Sequence, residues 1–190
     1  MKVVGFNGSP RKNGNTSILI NYVFEELNKE GIETELFNIA QKPLRGCMAC
    51  GKCKELKNGR CIIENDDLNF YLEKMIEADG IILGSPTYFS NMSAEMAALT
   101  QRAGVVARAN NHLLQRKIGT SVVAERRAGA TSVFSALNYF FLIAQMVVPG
   151  SSYWNMGIGM GEGDVEKDLE GVQIMRTLGQ NMAWILKKVN

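Results

Sequence analysis

The sequence predicts an α/β protein built on a doubly wound, five-stranded parallel sheet with helices on both faces. Three observations carry that expectation. Apolar β-rich runs alternate with helical patterns along the chain, and a polar, turn-rich loop follows the first run. In addition, 190 residues with 46% hydrophobic content suffice for one sizeable core. Such alternation gives βαβ units with right-handed crossovers. A ligand of such a sheet binds beyond the carboxyl ends of the strands, where the strand order reverses.

Strands are expected at Val3–Phe6, Glu33–Asn38, Gly80–Gly84, Ile118–Val123 and Val147–Tyr153. Helical patterns cover Thr16–Glu30, Asp66–Ala78, Ser93–Ala103, Ser132–Ala144 and Val165–Lys188. No linker, repeat or low-complexity run interrupts this order. Residues 1–190 therefore read as one domain, with a cysteine-rich insertion at about 44–64. A formal net charge of +2 is too small to argue for nucleic acid or a membrane surface as partner. No apolar stretch approaches the roughly 20 residues of a membrane span. The best candidate, Tyr139 to Val148, is short and contains Gln145. Met1-Lys2 runs directly into the first strand without a signal peptide, so a cytoplasmic location is expected.

The most informative segment is Val3-Val4-Gly5-Phe6-Asn7-Gly8-Ser9-Pro10-Arg11-Lys12-Asn13-Gly14-Asn15-Thr16-Ser17. It reads as a strand, an anion-binding loop and a helix N-terminus. Unpaired backbone N–H groups and the helix dipole at such a start hold a phosphate well. The loop lacks the Gly-Lys-Ser/Thr ending of a triphosphate-binding loop, and it lacks the Gly-x-Gly-x-x-Gly dinucleotide fingerprint. Ser9, Asn15, Thr16 and Ser17 offer side-chain donors instead, which suits a single terminal phosphate, as on a mononucleotide.

Two further segments should share the strand ends with this loop. Gly84-Ser85-Pro86-Thr87-Tyr88-Phe89-Ser90-Asn91 combines a stiff turn, aromatic faces and a few polar groups, the mixture a flat cofactor wants. Ala124-Glu125-Arg126-Arg127-Ala128-Gly129-Ala130 offers small residues for close approach and cationic donors at the rim. The sole histidine, His112, lies in the polar stretch Asn110-Asn111-His112 and reads as a surface residue rather than a proton donor. No side-chain general acid or base is required, and none is assigned.

All four cysteines fall at Cys47, Cys50, Cys53 and Cys61, in the spacing C-x₂-C-x₂-C-x₇-C. Thiolates three residues apart on a tight loop can converge on one metal centre, and a four-iron cluster needs four such ligands. Zinc is a second option, although structural zinc usually draws on two well-separated ligand pairs. Cysteines without metal are a third. Disulfides are disfavoured in a cytoplasmic protein.

These motifs resemble those of the NADPH-dependent FMN reductase superfamily within the flavodoxin-like fold, and in particular its iron-sulfur flavoproteins. The resemblance rests on Gly8-Ser9-Pro10-Arg11 with Gly14-Asn15-Thr16, on the compact cysteine motif, on Gly84-Ser85-Pro86-Thr87-Tyr88 and on Gly163-Asp164-Val165. It implies FMN phosphate contacts at Ser9, Arg11, Asn15, Thr16 and Ser17. Flavin-ring contacts would fall on Pro86, Thr87, Tyr88, Phe89, Asn91, Ala124 and Gly129. A [4Fe-4S] cluster would take Cys47, Cys50, Cys53 and Cys61. The long gap before Cys61 departs from the compact ferredoxin run.

The expected function is that of an FMN-binding redox protein that relays electrons, with NAD(P)H or ferredoxin as donor. The alternatives are an NAD(P)H-dependent FMN or quinone reductase without a cluster, and an FMN carrier or sensor. A homodimer or homotetramer is expected. The apolar run Phe134, Leu137, Tyr139, Phe140, Phe141 and Ile143 would be either uncovered surface or a buried core helix.

Overall fold

A computed structural model describes residues 1–189. Five parallel strands form one sheet in the order β2-β1-β3-β4-β5. They are β1 (Lys2–Asn7), β2 (Glu33–Asn38), β3 (Gly80–Pro86), β4 (Ile118–Glu125) and β5 (Met156–Ile158). The helices are α1 (Asn15–Lys29), α2 (Lys52–Leu56), α3 (Leu68–Glu77), α4 (Ala94–Ala109), α5 (Ala130–Ile143) and α6 (Leu169–Val189). The chain runs from β1 outward to β2 and then returns to β3 on the other side of β1. The order therefore reverses between β1 and β3, where Asn7 pairs with both Asn38 and Gly84.

Burial on both faces explains why the central strands are continuous apolar runs: all eight residues of β4 are buried. One layer packs α3, α4 and α5 through residues such as Leu72, Leu99, Leu137 and Phe141. The opposite layer packs α1 against α6 through Leu19, Val23, Leu178 and Met182. Buried Glu26 on α1 joins that layer, accepting hydrogen bonds from Lys29, Arg176 and Gln180. The Lys29 ammonium, helped by Gln180 and Arg176 against the cost of burial, lowers its pKa to about 2.

The fifth strand lies elsewhere than Val147–Tyr153. Val147 touches the sheet as a lone bridge to Ile118, and the chain then leaves. Pro149 has no N–H to give a ladder, and the segment turns on itself through the Ser151 hydroxyl, which bonds Tyr153 O and Asn155 Oδ1. Asn155 is buried and bonded to the Thr120 hydroxyl at 3.1 Å, and this contact brings the chain back for Met156–Ile158. The run on α5 divides: Leu137, Phe140 and Phe141 belong to the core, whereas Tyr139, Leu142 and Ile143 are exposed. Among the described residues, no helix is long and apolar enough to cross a membrane.

Candidate functional site

The loops after β1, β3, β4 and β5 meet at the carboxyl ends of the strands and enclose a cleft of about 180 Å³. Strand pairing continues into the loops and fixes their approach. Gly8 N–H donates to Gly84 O at 2.8 Å, Thr87 N–H to Ala124 O at 2.8 Å, and Gly159 N–H to Glu125 O at 2.8 Å. The Asn7 side chain serves both sides of β1, accepting from Ser9 N–H and donating to Asn38 Oδ1. The loop geometry thus follows from the sheet.

Three helices begin around this end, and their N-termini differ. α4 is capped by the Ser93 hydroxyl, which accepts from Met96 N–H. α5 has the buried Glu125 carboxylate on Ala130 N–H at 3.0 Å. α1 starts after Gly14 with no side-chain cap and no acidic residue in its first turn. The Ser17 hydroxyl donates back to Gly14 O instead, and the Asn15 side chain bonds Gly161 O and Val165 N–H. α1 is therefore the helix whose first backbone donors remain for an anion.

Of the sequence-predicted ligand residues, Ser9, Arg11, Asn15, Thr16, Pro86, Thr87, Tyr88 and Ala124 line the cleft. Four others do not. Ser17 faces away, towards Lys12 and Asn13. Phe89 is fully exposed at a left-handed φ of 49°. The Asn91 carboxamide folds onto Phe89 O. Gly129 acts through its backbone: at φ 101° it lets the β4 loop pass Ser90 and Thr87, and a Cβ there would stand 2.6 Å from Ser90 Oγ.

Gly159 and Met160 also line the cleft and escaped the sequence reading. The misplaced fifth strand hid them, although the glycine-rich run Gly157-Ile158-Gly159-Met160-Gly161 is a visible signal of close approach. Asp164 steadies this loop by accepting from Gly161 N–H at 2.6 Å. The Lys167 ammonium, with that backbone donor, holds the Asp164 carboxyl below its ordinary range. Among the described residues, Thr87 Oγ1 in the cleft wall is buried and has no partner. An uncapped helix start, cationic Arg11 and Arg126, and a buried hydroxyl lacking a partner suit a phosphorylated, heteroatom-bearing cofactor such as FMN.

The cysteines occupy a second place, on the α3–α4 face. None is in a disulfide, and all four line one cavity of about 230 Å³. Here no strand ends impose order; side chains do. Asn69 on α3 both accepts from Cys61 N–H at 2.8 Å and donates to Cys61 O at 2.9 Å. Asn110, at the end of α4, bonds Cys53 O and Gly59 N–H. Arg102 on α4 donates to Arg45 O, Ile63 O and the Cys61 sulfur, and pairs with the Asp66 carboxylate. Burial opposes the Asp66 charge, but the Arg102 guanidinium and the Arg45 and Leu68 N–H groups outweigh it and lower its pKa. Left-handed backbone at Ala49 and Gly51 turns the chain between the first three cysteines, and α2 carries Cys53 inward.

Among the described residues, no three Cys, His, Asp or Glu side chains converge as the ligands of a single metal ion do. Four thiols around a shared cavity suit a larger, multi-atom cluster better than zinc. His112 bonds Gln145 at 3.1 Å and lines neither the cleft nor the cysteine cavity.

A parallel sheet whose switch point gathers an uncapped helix start and close-set loops is the layout of a mononucleotide-binding α/β protein. The chain belongs to the NADPH-dependent FMN reductase family, whose model matches residues 1–161. It is similar to an iron-sulfur flavoprotein of Methanocaldococcus jannaschii, 39% identical over 196 residues, covering 100% of this chain and 99% of the relative. An iron-sulfur flavoprotein of Methanosarcina thermophila is 31% identical over 191 residues, with 100% and 97% covered. In fold it is similar to a WrbA-like flavodoxin from Agrobacterium tumefaciens, with a TM-score of 0.67 and 13% identity over 100% of this chain and 98% of that one. The chain is thus an FMN-binding redox flavoprotein and an oxidoreductase.

Proposed function

We propose that this flavoprotein relays electrons between FMN in the strand-end cleft and a [4Fe-4S] cluster ligated by Cys47, Cys50, Cys53 and Cys61. The observation that carries the reading is the convergence of all four cysteines on one cavity. The names of the M. jannaschii and M. thermophila relatives agree with it.

The residues divide the work. The uncapped start of α1, with Ser9, Arg11 and Thr16, holds the FMN phosphate, its backbone N–H groups and the helix dipole favouring the dianion. Asn15 fastens the post-β5 loop to that helix, while Ser17 secures the first turn through Gly14. Pro86, Thr87 and Tyr88 border the ring on one side and Ala124 on another, with Thr87 Oγ1 free to bond a ring heteroatom. Phe89, Asn91 and Gly129 shape that loop rather than touch the ring. Bound FMN supplies the chemistry, taking up two electrons and giving them up singly. The protein's part is to orient the flavin, exclude water from one edge and tune its electronics.

NAD(P)H or ferredoxin supplies the electrons, and the working form is a homodimer or homotetramer that covers exposed Tyr139, Leu142 and Ile143. A reductase working without a cluster is the second reading, favoured by the family's description as NADPH-dependent.

The test is iron and acid-labile sulfide per FMN in protein purified without oxygen. About four of each per flavin, as four-cysteine ligation of a cubane requires, supports the relay. Flavin without iron or sulfide after anaerobic reconstitution overturns it in favour of the reductase.

A further inference from the structure

Arg102 is the bulkiest fully buried side chain, 1% exposed, in the α4 stretch Ala98-Leu99-Thr100-Gln101-Arg102-Ala103. A guanidinium does not shed its proton, so burying one is costly unless its N–H groups are paired. Nη1 donates to the Asp66 carboxylate and to Arg45 O at 3.1 Å. Nη2 donates to Ile63 O at 3.2 Å and to Cys61 Sγ at 3.3 Å, while Nε has no partner. Arg45 precedes the first cysteine, whereas Ile63 and Asp66 follow the last. One buried side chain therefore closes the neck of the whole cysteine loop.

Neutral amides could close that neck, as Asn69 and Asn110 do elsewhere in the loop. A buried cation aimed at sulfur needs a further reason. Among the described residues, Cys61 is the one cysteine whose sulfur accepts from a charged donor; Cys47 Sγ accepts from the Ala49 backbone N–H. Resting on the cluster reading above, we propose that Arg102 tunes the reduction potential of the [4Fe-4S] centre through its charge-assisted N–H···S bond to Cys61. A reduced centre carries one more negative charge than an oxidised one, and a fixed guanidinium on a ligand sulfur stabilises the reduced form more. Asp66 pairs with the other terminal nitrogen, Nη1, and offsets part of that field. Arg102 is thus a positioning and tuning residue, acting through Cys61.

The pair makes opposite predictions, which separates tuning from mere loop closure. Arg102→Lys keeps the charge and loses the forked donor, so the cluster potential moves to more negative values. Asp66→Asn keeps the N–H···S bond and removes the counter-charge, so the potential moves to more positive values. Both are read by redox titration of anaerobic, FMN-loaded, cluster-reconstituted protein, followed by electron paramagnetic resonance. The flavin midpoint serves as the internal control. Shifts of opposite sign support the proposal, and where only Asp66→Asn loads a cluster its positive shift does so alone. Unchanged potentials, shifts of the same sign, or failure of both variants to load overturn it in favour of a structural clamp. Failure of the wild type to bind iron and sulfide is a different outcome: it sinks the cluster reading itself.

Discussion

The strand-end cleft and the cysteine loop are held by different means. Loops around the cleft continue the hydrogen-bond pattern of β1, β3, β4 and β5, backbone to backbone. The cysteine loop has only the short α2 for regular structure and hangs from Asn69, Arg102 and Asn110, side chain to backbone. A site made of strand ends is present as soon as the sheet forms. A site made of clamps depends on individual side chains and on what the loop encloses. Single substitutions should therefore act locally on one region and leave the other intact.

The sharpest way to break that comparison is to remove one thiol. Cys50 is exposed, so Cys50→Ser costs the fold little. Iron and sulfide per flavin should fall at least as far as the roughly 10–100-fold that outer-shell partners carry at metal sites. FMN content should stay at the wild-type level. A parallel loss of FMN would mean that the two regions fold as one unit.

On the cleft side, Gly129→Ala is the severe change. A side chain at φ 101° is strained, and its Cβ would lie 2.6 Å from Ser90 Oγ and 3.2 Å from Thr87 Cγ2. Strain and overpacking together cost about 3 kcal/mol. The β3 and β4 loops must part, so FMN affinity, read by fluorescence quenching, should drop about 100-fold while iron content holds. Wild-type affinity would show that the two loops need not approach for binding.

Glu26 tests the layer beneath the cleft. With Lys29, Arg176 and Gln180 around it, Glu26→Gln should cost about 2 kcal/mol in urea unfolding of the flavin-free protein, a usual loss for a buried charged hydrogen-bonding group. Its folded pKa of about 2 lies below the 4.5 of an ordinary glutamate. The stability it adds is complete above about pH 4.5 and is lost as pH falls towards 2. Across that window the wild type should lose stability more steeply than the variant. Parallel acid profiles would remove Glu26 from the account.

What the sequence made legible follows the same division. Alternating apolar runs and the Gly8–Ser17 loop disclosed the sheet, four of its strands and the loop that opens α1 at the strand ends, because backbone pattern is written in residue type. β5 was misplaced because Val147 and Val148 are strand-like, whereas the placement of Met156–Ile158 depends on a contact 35 residues away, Asn155 to Thr120. Gly159 and Met160 were lost with it. The cysteine spacing foretold that the four thiols share one cavity, but nothing local marks Arg102 as buried; an arginine between Gln101 and Ala103 reads as solvated surface. Clamps made by side chains across long separations leave no period in the sequence.

The smallest predicted effect bears most directly on how the flavin is read. Thr87 Oγ1 is buried without a partner, so in the flavin-free protein the hydroxyl is a liability rather than a support. Valine has nearly the same shape and no hydroxyl to satisfy. If the oxygen is there for the ring, Thr87→Val should leave flavin-free stability unchanged or slightly raised. FMN should then bind about five- to tenfold more weakly, the worth of one hydrogen bond near 1 kcal/mol. A hydroxyl serving the loop itself would give the reverse, a less stable protein with unaltered affinity. Because the substitution changes neither volume nor backbone, the two measurements together tell whether Thr87 recognises the cofactor or only shapes the wall of its cleft.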